Sequence, residues 1–121
     1  MKWYDFLVLR SLLFNKANEL AEKKSRGYGS EDDILANFKL PEIIGVMSAE
    51  MGAWLRLSDK VVRLGRQLVK GEEYVGFEDL VDTVLDTLNY AMVIVALRYE
   101  KDAKFREYLS KKLGVDLGIR E

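Results

Sequence analysis

The chain has no cysteine and no histidine. Without cysteine there is no disulfide frame, no thiolate metal site and no thiol nucleophile. Without histidine the commonest general base, the usual zinc ligand and any Ser/His/Asp triad are excluded together. Chemistry must run on carboxylates, Lys, Arg, Tyr, hydroxyls and bound ions. An all-oxygen ligand set favours a hard cation such as magnesium or manganese. There is also no surplus of charge: 19 basic and 20 acidic side chains leave a net −1, without the basic excess of a nucleic-acid-binding surface. No run approaches the ~18 apolar residues of a membrane span. Asp5 and Arg10 interrupt the apolar N-terminus, and no small-residue cleavage site follows. The expectation is a cytoplasmic protein whose partners include neither a membrane nor a nucleic-acid polymer. The lack of cysteine with abundant Lys and Glu hints at a thermophilic source.

What is present is helical periodicity. At 121 residues, 49% hydrophobic and 32% charged, the chain suits one domain over residues 1–121. Trp3 to about Lys24 predicts a first helix, with Phe6, Leu7, Leu13, Phe14, Ala17 and Leu20 on one face. Tyr4, Val8, Leu9 and Leu12 widen that face, so the helix is either central or meets another molecule. Gly27-Tyr28-Gly29 predicts its end, and Ser30 with Asp33 a capping box for a short helix to about Lys39. The Gly27-to-Lys39 stretch is either a connector or a lid over a pocket.

Pro41 to about Val69 predicts a long helix, on the order of 40 Å, with Met47, Met51, Trp54, Leu55, Val61, Val62 and Leu68 as its core face. Glu50 projects into that apolar arc. Arg56, Asp59, Lys60 and Arg63 cluster opposite, as a solvated ion-paired face, a phosphate-binding edge or a face that docks on a second subunit. Lys70-Gly71 stops the helix, and a short link makes the next one an antiparallel neighbour. A last helix over Asp102 to Leu113 completes an all-α, four- to five-helix bundle centred on two long antiparallel helices.

The central helix, Gly76 to Glu100, has two unlike halves. Tyr90 to Leu97 is apolar all round, while Glu78, Asp82, Asp86 and Asn89 fall within an arc of roughly 80° that runs into the apolar half. Carboxylates entering an apolar region require protons, cationic partners or a metal. Asp82 and Asp86, one turn apart, are spaced to reach one Mg²⁺ or Mn²⁺, with Glu78 and Glu50 or Asp59 completing the set. Asn89 can orient a ligand. Glu78 and Asp82 are the candidate catalytic carboxylates, and Arg56, Lys60, Arg63 and Lys39 the candidate phosphate ligands. Asn89, Tyr28 and Phe38 are the nucleoside candidates; the aromatics, like Trp54 and Tyr90, have core or lid packing as their alternative. The competing explanation of the stripe is a helix N-terminus enriched in acids by its dipole, plus salt bridges. One tension is geometric: in an antiparallel hairpin Glu50 lies at the opposite end from Asp82, and Asp59 to Arg63 match its height better.

The succession Tyr28-Gly29, Asn37-Phe38, Gly45, Arg56-x-x-Asp59-Lys60-x-x-Arg63-Leu64, and Glu78-x-x-x-Asp82-Thr83-x-x-Asp86-x-x-Asn89-Tyr90-Ala91 resembles the nucleotide-modification-associated domain family of phages and mobile elements. That family looks related to the all-α, MazG-like NTP pyrophosphohydrolases. The resemblance covers about Arg26 to Leu97. It implies a helical homodimer or homotetramer that cleaves a (deoxy)nucleoside triphosphate to monophosphate and pyrophosphate with magnesium. The wider superfamily carries a Glu-x-x-Glu on one metal-binding helix and a Glu-x-x-Asp on the next. This chain has neither: Asp82 carries over best, Asp86 and Asn89 from the narrower family. The alternative is a non-catalytic nucleotide-binding or helical oligomerisation module whose acidic stripe forms interface ion pairs.

Overall fold

The computed structural model describes residues 1–28, 33–71, 74–75 and 78–117, with the side chains of 25–28, 74–75 and 78 outside the description. It is all-α with five helices: α1 (Trp3–Tyr28), α2 (Ala36–Ile43), α3 (Ala49–Lys70), α4 (Leu80–Lys101) and α5 (Ala103–Leu113). Between α3 and α4 lies a two-residue antiparallel ladder, β1 (Tyr74–Val75) with β2 (Glu78–Asp79). The α3–α4 pair is the centre of the fold, and its ion pairs fix the direction. Lys60 meets Asp86, whereas Glu50, earlier on α3, meets Arg98 and Lys101, later on α4. The two helices are therefore antiparallel, as the short link predicts.

Boundaries differ from expectation where caps decide them. The long helix does not begin at Pro41. Pro41 sits inside α2, which ends at Ile43 and is closed off by Gly45, φ +77°. The Val46 N–H bonds to the Pro41 carbonyl and the Gly45 N–H to the Glu42 carbonyl, the paired closure that a left-handed glycine permits. Ser48 then opens α3, its hydroxyl accepting from the Met51 N–H at 3.2 Å. The predicted Ser30 cap lies outside the described residues. Asp33 instead accepts from the Leu35 N–H at 3.0 Å in a local turn ahead of α2. The central helix starts at Leu80, not Gly76, because Asp79 caps it in a capping box with Asp82. Glu78 is thus on β2 and not on the helix, which removes it from the helical stripe.

The apolar core is small. Leu35, Phe38, Ala49, Ala53 and Leu97 form one buried cluster, joined by Tyr90, Val93, Ile94 and Ala96. Ala49 and Ala53 let α3 approach α4 closely. The face of α3 expected to be the core, with Met51, Trp54, Leu55, Val61, Val62 and Leu68, is exposed instead. Its small and polar face, with Ala49, Ala53, Lys60 and Gln67, is the one turned toward the rest of the chain. α4 is also long and apolar enough, by length and composition, to cross a membrane, contrary to the expectation that no segment is. Asp82, Asp86 and Asn89 interrupt its first half, and α3, α1 and α5 pack against it.

Candidate functional site

The site is built where α1 and α3 meet the first half of α4. Asp86 projects from the second helical turn of α4 into the space between them and is 5% exposed. A carboxylate taken that far from water needs its charge matched. Lys24, near the end of α1, places its Nζ 2.5 Å from Oδ1, and Lys60 of α3 places its Nζ 3.2 Å from Oδ2. One buried anion thereby ties three helices, and two ammonium groups share it. The next turn repeats the α1–α4 contact without charge: the Asn89 side-chain amide donates to the Ala17 carbonyl at 3.1 Å.

Lys60 has a second exposure. With Arg56, Asp59, Arg63 and Tyr90 it lines a shallow open cleft of about 190 Å³. Arg56 lies over the Phe38 ring, 4.7 Å from its centroid, and Phe38 meets Tyr90 edge-on at 6.2 Å. Phe38, outside the lining, thereby contacts two residues that line it, Arg56 and Tyr90. Three cations against one surface carboxylate make the described lining electropositive. Arginine forks of this kind suit phosphate or carboxylate oxygens, which accept two parallel N–H bonds.

Of the residues singled out in the sequence, the structure brings Arg56, Lys60 and Arg63 together on the cleft and pairs Lys60 with Asp86. Lys39 is elsewhere, paired with Asp33 at 2.7 Å and with Glu100. Burial opposes its charge, but those two hydrogen bonds prevail and raise its pKa above the usual lysine value, while the Lys39 hydrogen bond holds Asp33 below the usual carboxylate value. Phe38 is buried in the core, with Arg56 across its ring, so it is a support of the cleft. Asn89 is committed to Ala17. Trp54 is half exposed on the outer face of α3 and does not line the cleft. The side chains of Tyr28 and Glu78 lie outside the described residues.

The carboxylates proposed as metal ligands are dispersed. Glu50 is at the far end of the hairpin, as the antiparallel geometry requires. Its Oε1 is 2.7 Å from Lys101 Nζ and its Oε2 3.7 Å from Arg98 Nε. Burial raises the Glu50 pKa, but the Lys101 hydrogen bond outweighs it and leaves the carboxyl below its ordinary value. Asp82 accepts from the Asp79 N–H at 3.3 Å while its own N–H donates to Asp79 at 2.7 Å. Asp59 lines the cleft at its surface. Among the described residues no three carboxylates converge. Among the described members of this donor set, both Asp86 oxygens face ammonium groups, and Asp82 Oδ2 is engaged in the capping box.

Sequence reasoning missed Lys24. From the sequence it marks only the approximate end of the first helix. Its spacing to Ala17, two turns earlier on the face that meets α4, is the signal that places it opposite Asp86. Compared with family models, curated proteins and solved structures, the chain matches none.

Proposed function

We propose that this chain is a helical phosphate-binding domain that takes the polyphosphate of a nucleotide in the α3 cleft, without requiring a divalent ion. The observation that carries this reading is the convergence of Arg56, Lys60 and Arg63 on one concave surface with Tyr90 at its side. Arg56 and Arg63 would grip phosphate oxygens bidentately, and Tyr90 offers a ring beside them for a base. Lys60, with Arg56 and Arg63, supplies the positive charge that a magnesium ion would otherwise bring close to the phosphates. Asp86 positions them and is not itself a ligand.

The second reading is the magnesium-dependent triphosphate pyrophosphohydrolase implied by the resemblance, with an oligomeric cytoplasmic enzyme as its setting. Asp82 and Asp86, one turn apart on α4, favour it. It requires Lys24 and Lys60 to release Asp86 and Asp82 to leave its cap.

The test is nucleotide binding by calorimetry and pyrophosphate release in the same samples, with magnesium and with EDTA, for wild type and an Arg56→Ala, Arg63→Ala double variant. Binding in EDTA that the double variant loses, while it still unfolds cooperatively, is the expected result. Release that needs magnesium and disappears in Asp86→Asn establishes the hydrolase instead. If no nucleoside di- or triphosphate and no inorganic triphosphate binds under either condition, both readings fail.

A further inference from the structure

The outer face of α3 is the largest feature that the cleft does not use. At ~100° per residue, Met51, Trp54, Leu55, Val61, Val62 and Leu68 fall within an arc of roughly 140°. Every one of them is about half exposed or more. Val69, at the end of the same stripe, is 87% exposed. This is the most strongly amphipathic helix of the chain, and its apolar side faces away from the chain. Gly65 sits near the middle of the stripe. A glycine inside a helix costs roughly 1 kcal/mol relative to alanine. Outside its own helix backbone, nothing among the described residues lies within 4 Å of where its Cβ would be, so none of them requires it to be small.

The first half of α1 repeats the pattern. Residues 3–12 are exposed throughout, with Trp3 at 69% and Leu12 at 62%. The area follows suit. A folded monomer of 13.9 kDa should expose roughly 6,700 Å² by the surface–mass relation. This chain exposes 9107 Å². The difference, roughly 2,400 Å² per chain, exceeds the ~800 Å² per partner of a standard interface and matches an obligate one.

We infer that the α3 stripe is the interface between copies of this chain, with the first half of α1 covered in the same assembly. A second copy is the occupant for two reasons. The surplus area has the size of an obligate interface between like chains, and one copy carries two apolar surfaces, so two copies supply both sides of the contact. A lipid surface is the other occupant to test. α3 has a basic polar side with Arg56, Lys60 and Arg63. But the apolar first half of α1, covered in the same assembly, carries only Asp5 and Arg10, one of each sign, and lacks the basic face an interfacial helix needs. The inference stands apart from the phosphate reading, because the stripe lies on the opposite side of α3 from Lys60.

Sedimentation velocity on the full chain at micromolar concentration tests it. Wild type should sediment as a multiple of 13.9 kDa. Val62→Glu should shift to the monomer with its helical circular dichroism kept, because residue 62 already faces solvent within one copy. In a Trp3→Phe background, Trp54 emission should move to the red on the same change. Gly65→Ala decides the matter where Val62→Glu fails to fold. A monomeric helix gains stability from alanine at an open position, whereas a closely packed interface loses mass. A wild type that is monomeric and helical overturns the inference, and one that is monomeric but co-sediments with phospholipid vesicles overturns it in favour of lipid. An unchanged mass in a folded Val62→Glu or in a stabilised Gly65→Ala overturns the assignment to α3.

Discussion

Asp86 and Glu50 are the two carboxylates that the α3–α4 hairpin draws inward, and each is held by two cations. The difference lies in where those cations sit. Lys24 and Lys60 are 36% and 16% exposed at the side chain, while Arg98 and Lys101 are 52% and 41% exposed. At the Glu50 end, solvent screens the pair and the charges close on one another. At the Asp86 end, the anion is the most buried member and one of its cations also lines an electropositive cleft. An ion pair in water contributes little, and one taken out of water is costly to break. The hairpin thus has a fastening at one end and a charge reservoir for a ligand at the other.

Removing the buried anion is the strongest way to break that comparison. Asp86→Ala leaves two ammonium groups facing each other between α1, α3 and α4. Breaking a buried pair costs 3–5 kcal/mol in general, and partial exposure of Lys24 puts the loss at about 3 kcal/mol. Urea denaturation of the variant measures it, and a loss under about 1 kcal/mol would mean that solvent reaches the pair freely.

The same operation at the other end should be smaller and pH-dependent. Glu50→Gln keeps the shape and removes the charge, at about 1 kcal/mol near neutral pH because Arg98 and Lys101 are solvated. The folded Glu50 pKa lies below its ordinary 4.5, so its contribution is complete above that value and is lost as the pH falls through the folded pKa. The gap between wild type and variant should therefore close in acid. Lys101, raised above its ordinary 10.5 by the Glu50 hydrogen bond, loses its share only as the pH rises through its folded value. A gap that stays constant into acid would show that Glu50 acts by packing and not by charge.

How far these features could be read from the sequence depends on whether local or long-range physics decides them. The five-helix, all-α architecture and the antiparallel centre follow from apolar periodicity and short links. The Arg56, Lys60 and Arg63 group was legible because three- and four-residue spacing on one helix needs no partner to define it. The orientation of α3 was not. Periodicity identifies an apolar face but not what covers it, and here the apolar face points outward while Ala49, Ala53 and Lys60 point inward. The break between α2 and α3 is missed by a long helix that runs from Pro41 straight through Gly45. Its left-handed φ depends on the closure by Val46 and on the fresh cap at Ser48. The acidic stripe was drawn correctly for Asp82 and Asp86 but given too many members. Asp79 takes the cap position and leaves Glu78 on a strand.

Caps supply a third kind of carboxylate, one held by backbone and, among the described residues, by no cation, and they sharpen the comparison at its weak end. Asp79→Ala removes the side chain that accepts from the Asp82 N–H, at about 1 kcal/mol, read as a lowered unfolding midpoint.

Asp82→Ala should cost less. Its Oδ2 accepts from the Asp79 N–H at 3.3 Å, a long bond to a group near the surface that water can replace. The expected loss is about 0.5 kcal/mol, with helix content nearly unchanged and unfolding equally insensitive to magnesium before and after the substitution. The measurement separates two roles for one side chain. A ligand couples stability to the concentration of its ion by mass action, whereas a cap does not. Magnesium that raises the unfolding temperature of wild type but not of Asp82→Ala would therefore reassign Asp82 from the cap to a metal site. It would also imply that the lysines release Asp86 when the ion arrives. Magnesium without effect on either protein leaves Asp82 as the reciprocal member of the capping box that Asp79 opens, fixing the start of α4 and so the height at which Asp86 meets Lys24 and Lys60.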